Sequence, residues 1–168
     1  MKKALCVCGL FFMFLFLSCD SEKIYNKNGI RFTIPKGWKI TNENVYSNTF
    51  DLSCGKSGLF SSGLVSISYV NDSIDSNENL IQYIKEMNLL SFALKAKFTE
   101  PADKLFNKYE SRFARLNSKP IVAAQNEEIY CFLAFDKSFT IIIHQAKKDS
   151  ISNQLAIEKI INSFECYE

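Results

Sequence analysis

Cys131 and His144 are the pair in this chain whose types best suit nucleophilic chemistry, since an imidazole beside a thiol can draw off its proton. His144 is the sole histidine among 168 residues. A two-residue turn at Lys137-Ser138 sets His144 opposite Cys131 in a hairpin. Both residues lie in the most apolar stretch of the chain, where burial raises a thiol pKa and makes the cysteine inert. Core packing is therefore the reading the residues favour, and a thiol enzyme built on Cys131 and His144 is the last of three functional readings. Glu127 and Glu128 are adjacent, so on a strand they point to opposite faces and cannot share a proton. Gly55-Lys56-Ser57 has the end of a phosphate loop, but Phe50 stands where the first glycine belongs and no helix pattern follows. The cysteine spacing fits no zinc ligand set. No catalytic residue, metal or cofactor is expected.

Cys19 has a different chemistry. Met1-Lys2-Lys3 is a basic start, residues 4–17 are an apolar run of 14, and Ser18-Cys19 closes it before the chain turns polar. A bilayer span needs about 20 apolar residues. Basic start, short apolar middle and small residue fit a secretion signal. A retained anchor and an ordinary secretion signal fit less of the pattern. Leu17-Ser18-Cys19 resembles the bacterial lipobox, with Phe16 where that box usually has leucine. The resemblance implies a thioether from the Cys19 thiol to diacylglycerol, cleavage between Ser18 and Cys19, and palmitate-type acyl chains. Each buried methylene contributes about 0.8 kcal/mol to such an anchor. The expected organisation is signal peptide 1–18, lipidated tether 19–28 and one domain over 29–168. The expected location is the cell membrane or outer membrane, outside the cytoplasm.

Removal of the first 18 residues leaves 150 residues with 18 Lys plus Arg against 18 Asp plus Glu. A chain of that size buries roughly 68–70% of its unfolded surface and folds without a metal or staple. Balanced charge and only three arginines give no footprint for nucleic acid. Six cysteines reduce to Cys54, Cys131 and Cys166 once Cys6, Cys8 and Cys19 are set aside. Cys54 in a loop-like stretch and Cys166 in the C-terminal tail can move to meet, so a Cys54–Cys166 disulfide is the candidate pair.

The elements that position these residues follow from periodicity. Ile30, Phe32 and Ile34 alternate with polar residues as in a half-buried strand. Pro35-Lys36-Gly37 reads as a turn. Trp38 after it is a packing anchor or, alternatively, a contact for a ligand or partner. Residues 44–52, 64–70, 106–116 and 120–124 read as further strands, and 55–63 as a loop or hairpin tip. Asp75 with Glu78 resembles a capping box. Leu80, Ile84, Met87, Leu90 and Leu94 then predict a helix over 76–96. The runs 128–136 and 138–146 are apolar on both faces, as in strands at the centre of a covered sheet. Ile157, Ile160, Ile161 and Phe164 give a last helix one apolar stripe. The expected fold class is α+β, a mostly antiparallel sheet covered by helices on both faces, a three-layer α/β/α sandwich.

Asn28-Gly29-Ile30, Phe32, Pro35, Gly37-Trp38 and Ser163-Phe164, with this element order across residues 24–165, resemble the PsbP-like domains. That resemblance implies an antiparallel sheet between helices, with Pro35, Gly37 and Trp38 as structural signature positions. It implies binding rather than catalysis, since the family includes an extrinsic photosynthetic subunit, a Ran-binding import factor and small bacterial lipoproteins. The leading expectation is a membrane-anchored, non-enzymatic binding or assembly module, monomeric, with a protein partner. A small-molecule carrier with a pocket between sheet and helix is the alternative.

Overall fold

The structure is a computed structural model and describes residues 21–56, 62–91, 97–117 and 125–168. Ser18, Cys19 and the expected strand 120–124 lie outside the described residues. Eleven strands are described: β1 (Lys23–Lys27), β2 (Ile30–Ile34), β3 (Trp38–Val45), β4 (Thr49–Lys56), β5 (Leu64–Val70), β6 (Lys97–Phe98), β7 (Ala102–Phe106), β8 (Tyr109–Asn117), β9 (Gln125–Ala134), β10 (Lys137–Ala146) and β11 (Glu165–Cys166). Helix α1 (Ser76–Ser91) follows β5, and α2 (Ser150–Ser163) follows β10. All strand pairs are antiparallel. The large sheet runs β3-β4-β5-β10-β9-β8-β6 with β7 beside β8, and β1-β2-β11 form a small one.

Cross-strand rows show why these sequences pair. Phe50, Tyr69, Phe139 and Phe132 lie in register across β4, β5, β10 and β9. Leu52, Ile67, Ile141 and Tyr130 form the next row. These side chains are buried and join Phe32, Phe106, Ile157, Ile160 and Phe164 in the main core. Phe132 and Phe139 stack at 5.1 Å, and Tyr109 stacks on Phe132 at 4.9 Å. Such ring pairs add about 0.5–1.5 kcal/mol each beyond burial of their area. The alternate residues of β8 and β9, Ala114, Ile129 and Cys131, cluster instead with Leu80 of α1.

Several expectations change. Residues 23–27, assigned to the tether, form β1, and Tyr25 is in the core. Asn28 and Gly29 both have positive φ, at 53° and 74°, which is the two-residue hairpin turn that an Asn-Gly pair favours. Residues 44–52 are not one strand: the chain reverses there, with Tyr46 N donating to Thr49 O. The stretch 106–116 splits at Asn107, which has φ 54°, so Phe106 pairs with Tyr109. The helix expected over 76–96 is described to Ser91, and the Asp75 half of the expected box is formed, Asp75 Oδ1 accepting from Asn77 N and Glu78 N.

Candidate functional site

The hairpin turn falls at Phe135-Asp136, with φ of 51° and 55°, and not at Lys137-Ser138. That sets Cys131 opposite Thr140 and His144 opposite Glu127. Four strand positions, about 13 Å at 3.3 Å per residue, therefore separate His144 from the place opposite Cys131 where it was expected. Burial pushes the Cys131 thiol up to about 11. The thiol–imidazole pair is not formed.

Cys54 and Cys166 are also corrected. Cys54 is not in a loop but central in β4, paired with Ile40 and Val65. Cys166 is paired with Ile30 in the small sheet. Ladders fix both backbones, so neither can travel as a loop or tail would, and all three described cysteines are free buried thiols. Burial raises Cys54 to about 12 and Cys166 to about 11.

Trp38 opens β3 after a Pro35–Trp38 turn closed by Trp38 N to Pro35 O at 3.0 Å, with Gly37 at φ 78°. It is only 5% exposed, so it serves as a packing anchor and has no face left for a partner. Gly63 makes room for it: a Cβ there comes within 3.1 Å of Trp38 Cη2 and 2.8 Å of Asn153 Nδ2.

The register brings together two polar clusters that the sequence reading did not find. On the α1 side, buried Glu127 accepts from Tyr83 Oη at 3.1 Å and meets His144 Nδ1 at 3.2 Å. A carboxylate so placed orients an imidazole. Burial first, and Glu127 second, raise the Tyr83 pKa well above its ordinary value. The phenol stays a donor, and the contact ties α1 to the sheet.

On the α2 side, Glu128 takes a hydrogen bond from Arg115 Nη2 at one oxygen and from Tyr130 Oη, at 2.8 Å, at the other. Lys104 Nζ donates to Tyr130 Oη at 2.6 Å and lies 4.2 Å from the centre of the Phe113 ring. Burial alone raises the Glu128 pKa. The bonds from Tyr130 and Arg115, with the charges of Lys104 and Arg115, more than offset it, and the carboxyl sits below its ordinary value.

This second cluster is one end of a groove of about 480 Å³ between β7–β10 and α2. Ile143, Ile157 and Ile161 form an apolar wall, and Leu105 and Ile151 are exposed lips at 60% and 85%. Gln145 Oε1 is buried in the same groove and has no hydrogen-bond partner in the structure. Such an orphaned acceptor costs about 1–3 kcal/mol. A bound donor removes that penalty. The groove's size and its apolar lining with a few convergent polar groups match small-molecule sites, which run about 300–1,000 Å³. Among the described residues no cluster of three or more His, Cys, Asp or Glu could hold a metal ion, and no helix is long and apolar enough to cross a membrane.

No family model and no curated protein matches this chain. Solved structures do. The cyanobacterial PsbP protein of Synechocystis sp. PCC 6803 superposes with a TM-score of 0.62 over 90% of this chain and 96% of its own, at 13% identity. LpqN of Mycobacterium tuberculosis, involved in cell envelope biogenesis, gives 0.57 over 88% and 91%, at 9% identity. The Saccharomyces cerevisiae Ran-binding protein Mog1p gives 0.55 over 86% and 95%, at 11% identity. At these identities the likeness is one of fold: a mostly antiparallel sheet with two helices, similar to PsbP.

Proposed function

We propose that this chain is a lipid-anchored, non-enzymatic binding module working outside the cytoplasm, with its binding site in the groove between β7–β10 and α2. The observation that carries this reading is the groove itself, where the buried, orphaned Gln145 Oε1 and the Lys104–Tyr130–Glu128–Arg115 cluster converge on an isoleucine wall. The occupant it fits has a hydrogen-bond donor and an apolar body. It is either a small molecule or a side chain presented by a protein partner. Anchoring at Cys19, cleavage after Ser18 and a monomeric domain in three α/β/α layers complete the reading. The opposed packing of Leu80 and Ile157 on alternate residues of the sheet supports the layers. Proteins of the same fold named for Ran binding and for cell envelope biogenesis support a binding role.

The test compares tagged wild type with Ile161→Trp, which fills the groove from α2. Both are cross-linked in native membranes and pulled down, and the purified proteins are weighed by native mass spectrometry. A protein or small molecule carried by wild type and lost from the filled variant supports the groove as the site. An occupant that persists unchanged in a correctly folded Ile161→Trp places binding elsewhere and overturns it.

A further inference from the structure

The core-facing side of α2 is Asn153, Ile157 and Ile160. At 3.6 residues per turn, Ile151, Leu155 and Lys159 fall on the opposite side at successive i,i+4 positions. Lys148 precedes Ile151 by three. Ile151 is 85% exposed and Leu155 81%, the largest values among the exposed large apolar side chains of the described residues. Glu158 and Asn162 share this side, and Glu158 accepts from Gln154 Nε2 at 2.8 Å. Asp149, beside Lys148, accepts from Ser62 Oγ. Single exposed apolar residues need no explanation. What distinguishes this pair is the position of the chain's start: Lys159 Nζ, on the same stripe, bridges Glu22 Oε1. Two residues lie between Cys19 and Glu22, and the three steps reach about 10 Å.

We infer that the outward side of α2 rests on the lipid bilayer, with Ile151 and Leu155 in the headgroup–acyl boundary, Lys148 beside the lipid phosphates and the Lys159–Glu22 pair holding the tether to the same side. The inference rests on the anchor at Cys19. Interfacial helices hold apolar residues at that boundary and basic ones beside it. Two apolar side chains do not hold a free domain on a membrane. A tether of about 10 Å removes that requirement, because it keeps the face at high effective concentration near the lipid. The pair then only selects which side of the domain turns inward. Ile151 is also a lip of the groove, so the groove mouth opens beside the headgroups.

The full-length chain, made in a host that processes lipoproteins and fed an alkyne fatty acid, is placed in phosphatidylethanolamine–phosphatidylglycerol vesicles doped with nitroxide lipid. A fluorophore is attached at Leu155→Cys, or at Ile81→Cys on the outside of α1 as control. The buried native thiols stay unlabelled. Quenching several-fold stronger at position 155 than at 81 supports the inference. So does a rise in amide exchange of α2 in the lipidated Ile151→Asp/Leu155→Asp double variant. Equal quenching at both positions, in protein that carries the alkyne on Cys19 and floats with the vesicles, overturns the docking face and leaves the anchor standing. Wild type that neither floats nor carries the alkyne overturns the anchor and this inference together.

Discussion

Glu127 and Glu128 are neighbours in the chain and belong to two different environments. Glu128 faces the α2 side, where one strand after another contributes a ring: Phe50 and Tyr69 stack at 5.0 Å, and Phe106 meets Phe164 edge-on at 5.4 Å. Glu127 faces the α1 side, where the buried cluster is Leu80, Ala114, Ile129 and Cys131. Both carboxylates are held by a tyrosine, but Glu128 also has two cations and Glu127 has the imidazole of His144. A strand with apolar residues on both faces is therefore not symmetrical. Among the described residues the α2 side holds the larger buried apolar cluster, and the smaller cluster on the α1 side is flanked by the Tyr83–Glu127–His144 contacts.

The sharpest test of that asymmetry takes adjacent residues of β9. Phe132→Ala removes a ring stacked on both Tyr109 and Phe139 and is expected to destabilise by about 3–5 kcal/mol. Cys131→Ala removes one sulfur from the smaller cluster and is expected to cost about 1 kcal/mol. Urea denaturation of both variants checks the pair. Equal losses would mean that the two sides contribute alike.

Tyr83→Phe probes the fastening of α1. It deletes the donor to Glu127 Oε1 and leaves a carboxylate that is 7% exposed short of one partner. The expected loss is about 1–3 kcal/mol. Amide exchange in α1 should rise while that in β4 and β5 stays unchanged. A loss spread evenly over all elements would show that the contact is not local to α1.

The core was legible where side chains alternate: Ile30, Phe32 and Ile34, or Val65, Ile67 and Tyr69, declare their inward face without any partner. The Asp75 cap was legible because its chemistry is local. Asn28-Gly29 was an available hairpin signal, and it would have moved residues 23–27 from tether to strand. The register of β9 and β10 was not legible. Its turn places Phe135 and Asp136 at positive φ, which a phenylalanine rarely adopts. That error misplaced His144 and hid the Glu127 contact. β7 was missed because four of its five residues are exposed, so no alternation marks it. The groove depends on all of these at once, on β7, on the register and on α2, and no single stretch of sequence encodes it.

Glu128 gives the smallest predicted effect and the most specific one. Lys104 and Arg115 are 42% and 46% exposed, so each ion pair contributes about 0–1 kcal/mol. The direction is nonetheless fixed. The folded pKa of Glu128 lies below its unfolded value, about 4.3 for an ordinary glutamate. The unfolded chain therefore takes up the proton first as pH falls. The stabilisation is present in full above about 4.3 and is lost as pH drops from there through the lower folded value. Other acids titrate in the same range, and the comparison with Glu128→Gln subtracts them. As pH falls from about 4.3 through the lower folded value the wild type should lose more stability than the variant, with the two curves converging at the acid end. Parallel curves would mean that Arg115, Lys104 and Tyr130 do not hold this carboxylate ionised. The polar end of the groove would then be a set of solvated side chains, not one charged cluster.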